Sequence, residues 1–203
     1  MKDNLTVWFL CPGTDIDKEG CKAVPERLAL PRELLLFAAP TELCRRTARA
    51  IGGWQHVNVL PELDYDADRY VGIKEMLNRI KMEEQKGQDK KSGKKKRSAE
   101  IPHASLDDLS ARMERELLRS YGKNGWQSFI SLASEAPQVV EYALIVADWP
   151  YLPAIADASV ETFMPRRRIR SAELRPYGGF RIDYPADPEK SPRVLVIPDD
   201  LDT

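Results

Sequence analysis

The stretch ALIVADWPYLPAIA, Ala143 to Ala156, joins an apolar run of strand length to an aspartate and then to an apolar helical segment set among prolines. Tyr142 to Ala147 is the strongest strand signal in the chain. Three earlier segments belong with it: VWFLCPG (Val7 to Gly13), LLLFAAPTELCRRTARAI (Leu34 to Ile51) and VLPELD (Val59 to Asp64). Joining an apolar run to a small, turn-forming or helix-starting group is how an α/β protein sets a site at the carboxyl edge of its sheet. The order therefore predicts a three-layer α/β/α domain with a mostly parallel central sheet.

Punctuation and period supply the remaining elements. Leu5 to Leu10 reads as the first strand, closed by Pro12-Gly13, and Glu19 to Leu30 as a short helix broken or begun by Pro25. Leu34 to Phe37 is a second strand. Thr41-Glu42 opens a helix that Gly52-Gly53 stops, with Leu43, Thr47, Ala50 and Ile51 on one face and Arg45, Arg46 and Arg49 off it. His56 to Leu60 is a third strand, and Tyr70 to Met82 a helix striped by Ile73, Met76, Leu77 and Ile80. Helices are expected from Ser105 to Leu118, with Leu106, Leu109, Met113 and Leu117 inward, and from Trp126 to Ala133. Tyr177-Gly178-Gly179 suggests a hairpin between Glu173-Leu174 and Phe180 to Tyr184, with one more strand over Val194 to Ile197.

At 203 residues, 42% hydrophobic and 31% charged, the chain suits one globular α/β domain over residues 1–203. No run reaches the roughly 20 apolar residues of a membrane span, and the start MKDNLTVWFL lacks a signal peptide's features. These point to a cytoplasmic protein without membrane contact. Cys11, Cys21 and Cys44 stand at no ligand-like spacing, and only His56 and His103 could join them, so no metal and no cofactor are expected. Buried thiols in a reducing compartment are the expectation instead.

A net charge of −1 conceals segregation. From Lys81 to Arg97, eight basic residues stand against Glu83, Glu84 and Asp89, a local charge of +5 that leaves −6 on the rest. The core of this stretch has no apolar residue to bury, so residues 83–104 read as a disordered, lysine-rich insertion and 198–203 as an acidic tail. Lys90, Lys91, Lys94, Lys95, Lys96 and Arg97 are candidates for a polyanion or nucleic-acid contact, as are Arg166, Arg167, Arg168 and Arg170. No aromatic residue is interleaved with the lysines to stack a base. A solvated loop and a charged strand edge are the alternative readings.

The four segments, taken in order, resemble the histidine phosphatase superfamily, the phosphoglycerate-mutase-like fold, and within it the small phosphohistidine-phosphatase branch. That family opens with a strand ending in Arg-His-Gly, where this chain has Cys11-Pro12-Gly13. Its Ser-Pro-x-x-Arg-x-x-x-Thr-Ala segment is matched by Ala39-Pro40-Thr41-Glu42-Leu43 through Thr47-Ala48, with Leu43 at the arginine position and Arg45 and Arg46 displaced. Leu60-Pro61-Glu62-Leu63 is similar to the segment that supplies the acid, and Asp148 stands at the second phosphate-binding histidine.

The resemblance implies a phosphatase scaffold whose chemistry has to be judged from the residues present. Phosphoryl transfer through histidine needs an imidazole, cations on the phosphoryl oxygens and an acid for the leaving group. Pro12 is no nucleophile, Cys11 and Leu43 are uncharged, and Asp148 opposes a phosphate dianion by roughly 4 kcal/mol per pair of unit charges near 4 Å. A thiolate phosphatase needs arginine six residues after its cysteine, where Cys11 and Cys44 are followed by Asp17 and Ala50. The expected function is a noncatalytic binding or regulatory protein, with an unidentified protein or a phosphorylated ligand as partner. Its ligand-binding candidates are Gly13, Arg45, Arg46, Glu62, Asp148 and Trp149. A hydrolase with reassigned residues, Glu62 and Asp148 acting as a carboxylate pair, is the catalytic alternative.

Overall fold

The computed structural model describes residues 4–13, 18–53, 55–63, 106–137, 139–149, 151–161, 163, 177–187 and 189–197. The expected helix over Tyr70 to Met82, the segment 83–104, the Arg166 to Arg170 cluster, Glu173-Leu174 and the tail 198–203 lie outside them. The chain divides into two compact units, residues 1–64 with 118–203, and residues 65–117. The sheet and the candidate site belong to the first unit, and the described part of the second is the start of one long helix.

Apolar, β-branched and aromatic runs form the strands β1 (Leu5–Leu10), β2 (Leu35–Ala38), β3 (Val57–Val59), β4 (Tyr142–Val146), β5 (Gly179–Tyr184) and β6 (Arg193–Ile197). They make one sheet in the order β3-β2-β4-β1-β5-β6. The β3-β2, β2-β4 and β4-β1 pairs are parallel, and β5 and β6 are added antiparallel. β1 thus stands between β4, in the fold's parallel half, and the antiparallel pair, with Leu10 in register with both Val146 and Gly179.

Alternation along the strands divides the sheet into two covered faces. Phe37, Ile145, Phe9 and Phe180 share a register row on one face. There α3 (Leu106–Ser134) lays Phe129 edge-on to Phe37, ring centroids 4.9 Å apart, and Trp126 6.4 Å from Phe9 and stacked on Tyr184 at 5.6 Å. Truncating a wholly buried aromatic such as Phe37 or Phe129 removes about 3–5 kcal/mol. On the other face, α2 (Glu42–Gly52) packs against α1 (Lys18–Arg27) and brings Gly52 onto the Leu36 side chain.

Where the sequence suggested two helices, α3 is continuous for 29 residues. The stretch between the two expected helices holds Gly122 and Gly125 in close contact with α4 (Tyr151–Glu161): a Cβ on Gly122 would lie 2.2 Å from the Ala154 carbonyl oxygen, and one on Gly125 would meet Leu63 and Ile155. Tyr121 packs edge-on against Tyr151 at the same crossing. The buried stripe of α2 keeps Thr47 and Ile51 of the expected one but runs through Cys44 and Ala48 in place of Leu43 and Ala50, which are half-buried at its borders. Pro25 is inside α1, in its last turn. β5 forms its antiparallel pair with β6 as well as β1, so the hairpin within the described residues follows β5.

The far end of α4 is tied to α3 by charge. Glu161 accepts hydrogen bonds from Arg119 and, at 3.0 Å, from Lys123. The Arg119 and then the Lys123 hydrogen bond hold its carboxyl below the usual value, against partial burial. A carboxyl whose folded pKa is depressed stabilises the fold fully above its unfolded value of about 4.3, and that contribution fades as pH falls through the folded value. Glu161→Gln is therefore expected to lower the denaturation midpoint at pH 7 and to match wild type once the pH is below the folded pKa. Urea melts of both proteins from neutral to acid pH check this.

Candidate functional site

The four parallel strands end at one level. Past their last residues the ladder continues for one bond each: Ala147 N–H donates to the Leu10 carbonyl, Ala39 N–H to Val146 and Leu60 N–H to Ala38. Pro12, Pro40 and Pro61 then follow β1, β2 and β3, and proline cannot donate to a ladder. The chain leaves the sheet at these points, which places Cys11-Pro12-Gly13, Thr41, Glu62 and Asp148-Trp149 along the carboxyl edge.

Asp148 and Thr41 are joined directly. Thr41 is the N-cap of α2 in an extended backbone conformation; its Oγ1 accepts from the Cys44 N–H at 3.4 Å and donates to Asp148 Oδ2 at 2.8 Å. One hydroxyl thus satisfies an otherwise orphaned helix donor and a part-buried carboxylate. The Asp148 carbonyl accepts from Tyr151 and Leu152 N–H at the start of α4. This aspartate links the openings of two helices 107 positions apart in sequence.

Cys11, Cys21 and Cys44 are all buried thiols. Burial pushes the Cys44 thiol far above its ordinary value; the Thr41 hydroxyl opposes this, and Asp148 and Cys11 beside it add to it. Cys44 is neutral at any physiological pH and is no thiolate nucleophile. On the β5 side, Tyr177 N–H donates to the Cys11 carbonyl and Cys11 N–H to Gly178. Tyr177 adopts φ 59°, an unusual conformation for a side chain of its size. It is held there by Arg27 Nη2 on its carbonyl at 2.8 Å and by a 3.2 Å contact of its hydroxyl with Cys21 Sγ.

The other candidates are spread out. Glu62 sits in the 3₁₀ turn Pro61–Leu63, where Leu63 is buried and Glu62 Oε2 is enclosed without a hydrogen-bond partner; β2 stands between its strand and that of Asp148. Arg45 pairs with Glu42 at 2.8 Å on the exposed side of α2, and Arg46 is exposed. Trp149 is 38% exposed, whereas Tyr151 packs into the helix crossing. His56 is exposed at the amino end of β3, and His103 is outside the described residues. Among the described residues no cluster of three or more His, Cys, Asp or Glu could hold a metal ion, and no helix is long and apolar enough to cross a membrane.

Sequence reasoning placed Thr41 as a helix opener and missed it as the partner of Asp148, because the two meet only through strand pairing. It also missed Arg27 and Tyr177, which buttress the end of β1. The only trace of the latter was the Tyr177-Gly178-Gly179 turn.

Solved structures of other proteins align with this chain over nearly its whole length. Phosphoglycerate mutase from Bacillus anthracis superposes with a TM-score of 0.51 at 9% identity, covering 97% of this chain and 93% of its own. The chain has the phosphoglycerate-mutase-like fold. A protein described as mycobacterial hydrolase 1 gives the same TM-score at 11% identity, covering 95% of this chain and 96% of its own. No protein-family model matches the sequence, and no curated protein matches it. At these identities the likeness is one of fold, and the residues at the edge carry the question of activity.

Because the Thr41 hydroxyl serves both the α2 cap and Asp148, Thr41→Val is expected to cost about 1–3 kcal/mol by leaving both unpartnered. Thr41→Ser, which keeps the hydroxyl, is expected to cost well under half of that. Denaturant melts of the two variants give the comparison.

Proposed function

We propose that this phosphoglycerate-mutase-like domain is a noncatalytic binding or regulatory protein of the cytoplasm, a histidine-phosphatase scaffold without the phosphoryl-transfer set. The observation that carries the reading is Asp148 itself. It places a carboxylate at the middle of the carboxyl edge, anchored by Thr41 and next to neutral Cys44. The residues beside it, Cys11 and Pro12, supply neither a cation nor an imidazole. A dianionic phosphoryl group brought there meets repulsion where transfer chemistry needs neutralisation. Gly13, Glu62, Asp148 and Trp149 then serve as ligand contacts, and Arg45 and Arg46 as a flanking basic pair on α2. A polyanion or nucleic-acid binder using the Lys90 to Arg97 run with the Arg166 to Arg170 cluster is the separate alternative.

The test is hydrolysis of a generic aryl phosphate from about pH 5 to 9, the range over which carboxylate and imidazole catalysts titrate, alongside Asp148→Ala. No turnover in either protein is the expected result. Turnover in wild type that disappears in the variant would instead make Asp148 part of a reassigned hydrolase mechanism, with Glu62 as its first candidate partner.

A further inference from the structure

The outer strand β6 is left unused by the site at the carboxyl edge. It pairs with β5 on one side, and among the described residues no strand lies beyond it. A sheet edge presents a row of backbone N–H and C=O groups that template pairing with another strand, and natural edges are commonly guarded by a charge, a proline or a bulge within the strand. The centre of β6, Val194-Leu195-Val196, has none of the first two, and Val196 is 66% exposed. Arg193 at its start is the strand's only charge. Pro192 precedes the strand and Pro198 follows it in sequence, which confines a ladder to these five residues.

We propose that β6 is a self-association surface, two copies of the chain pairing their β6 strands antiparallel about a two-fold axis at Leu195. The occupant follows from the strand's own pattern. Antiparallel pairing about Leu195 sets the half-buried Val194 of each copy against the exposed Val196 of the other, so each valine gains a β-branched neighbour across the ladder. It also sets Arg193 opposite Ile197, with the two arginines separated by four residues along the ladder, roughly 13 Å. That exceeds the roughly 8 Å screening length at physiological salt. In-register parallel pairing would instead put Arg193 beside Arg193, a like-charge pair that destabilises a ladder. The two-fold contact is closed, so neither copy keeps an open β6 edge. A five-residue ladder is smaller than a standard interface of roughly 1,200–2,000 Å², so the dimer is weak and reversible.

Sedimentation of the full chain at increasing concentration, up to about 1 mM to cover weak association, tests this together with Val196→Lys. Wild type is expected to rise from one chain towards two, with amide exchange across residues 193–197 slowing in step. Val196→Lys, a charge at an exposed position that would face the valine of the other copy, is expected to remain one chain with an unchanged circular dichroism spectrum. Wild type that stays a single chain throughout overturns the proposal, and so does a dimer that survives Val196→Lys. Should the variant not fold, wild-type exchange decides: protection of residues 193–197 that does not depend on concentration overturns it.

Discussion

The parallel pairing of β1 with β4 is the constraint on which the candidate site depends. It joins Leu10 to Val146 in register and continues through the Ala147 N–H to the Leu10 carbonyl, so the residues after each strand emerge side by side. Cys11 and Asp148 are neighbours for that reason alone. The pairing stands because both faces of the sheet are covered, by the α3 aromatic cluster on one side and the α1 and α2 pair on the other. Losing the core would lose the edge with it.

The charge at that edge then decides what it can hold. A buried or half-buried carboxylate needs donors, and Asp148 has one in the Thr41 hydroxyl, which is itself fixed by the α2 backbone. The helix opening and the carboxylate satisfy each other, while the Cys44 thiol beside them stays neutral through burial. Arg27, the nearby guanidinium that the fold brings to the end of β1, is engaged with the Tyr177 carbonyl. Each of these contacts holds the edge together.

Much of the fold was legible because strands and turns are local signals. Leu5 to Leu10, the Thr41 cap, the Gly53 stop at φ 63° and the strand before Asp148 all follow from runs and punctuation that a few residues carry. Gly122 and Gly125, between the two expected helices, are where α3 packs closely on its neighbours, a use that a sequence does not show. The α2 stripe differs at two members because Cys44 and Ala48, small and weakly apolar, are buried more fully than Leu43 and Ala50. The site itself was legible as positions along an edge, whereas its contacts were not: Thr41 with Asp148 and Arg27 with Tyr177 are separated by 107 and 150 residues. Only tertiary pairing brings such groups together.

The most direct measurement of the central claim, that this edge does not neutralise a transferring phosphoryl group, is titration of the protein with orthovanadate followed by amide chemical shifts. Transition-state analogues bind about 10²–10⁸-fold more tightly than substrates to sites built for the reaction. Shifts at Gly13, Cys44 and Asp148 that stay unchanged up to millimolar vanadate, on the order of the weakest specific affinities, are the predicted result. Saturable shifts at those residues in the micromolar range would contradict it.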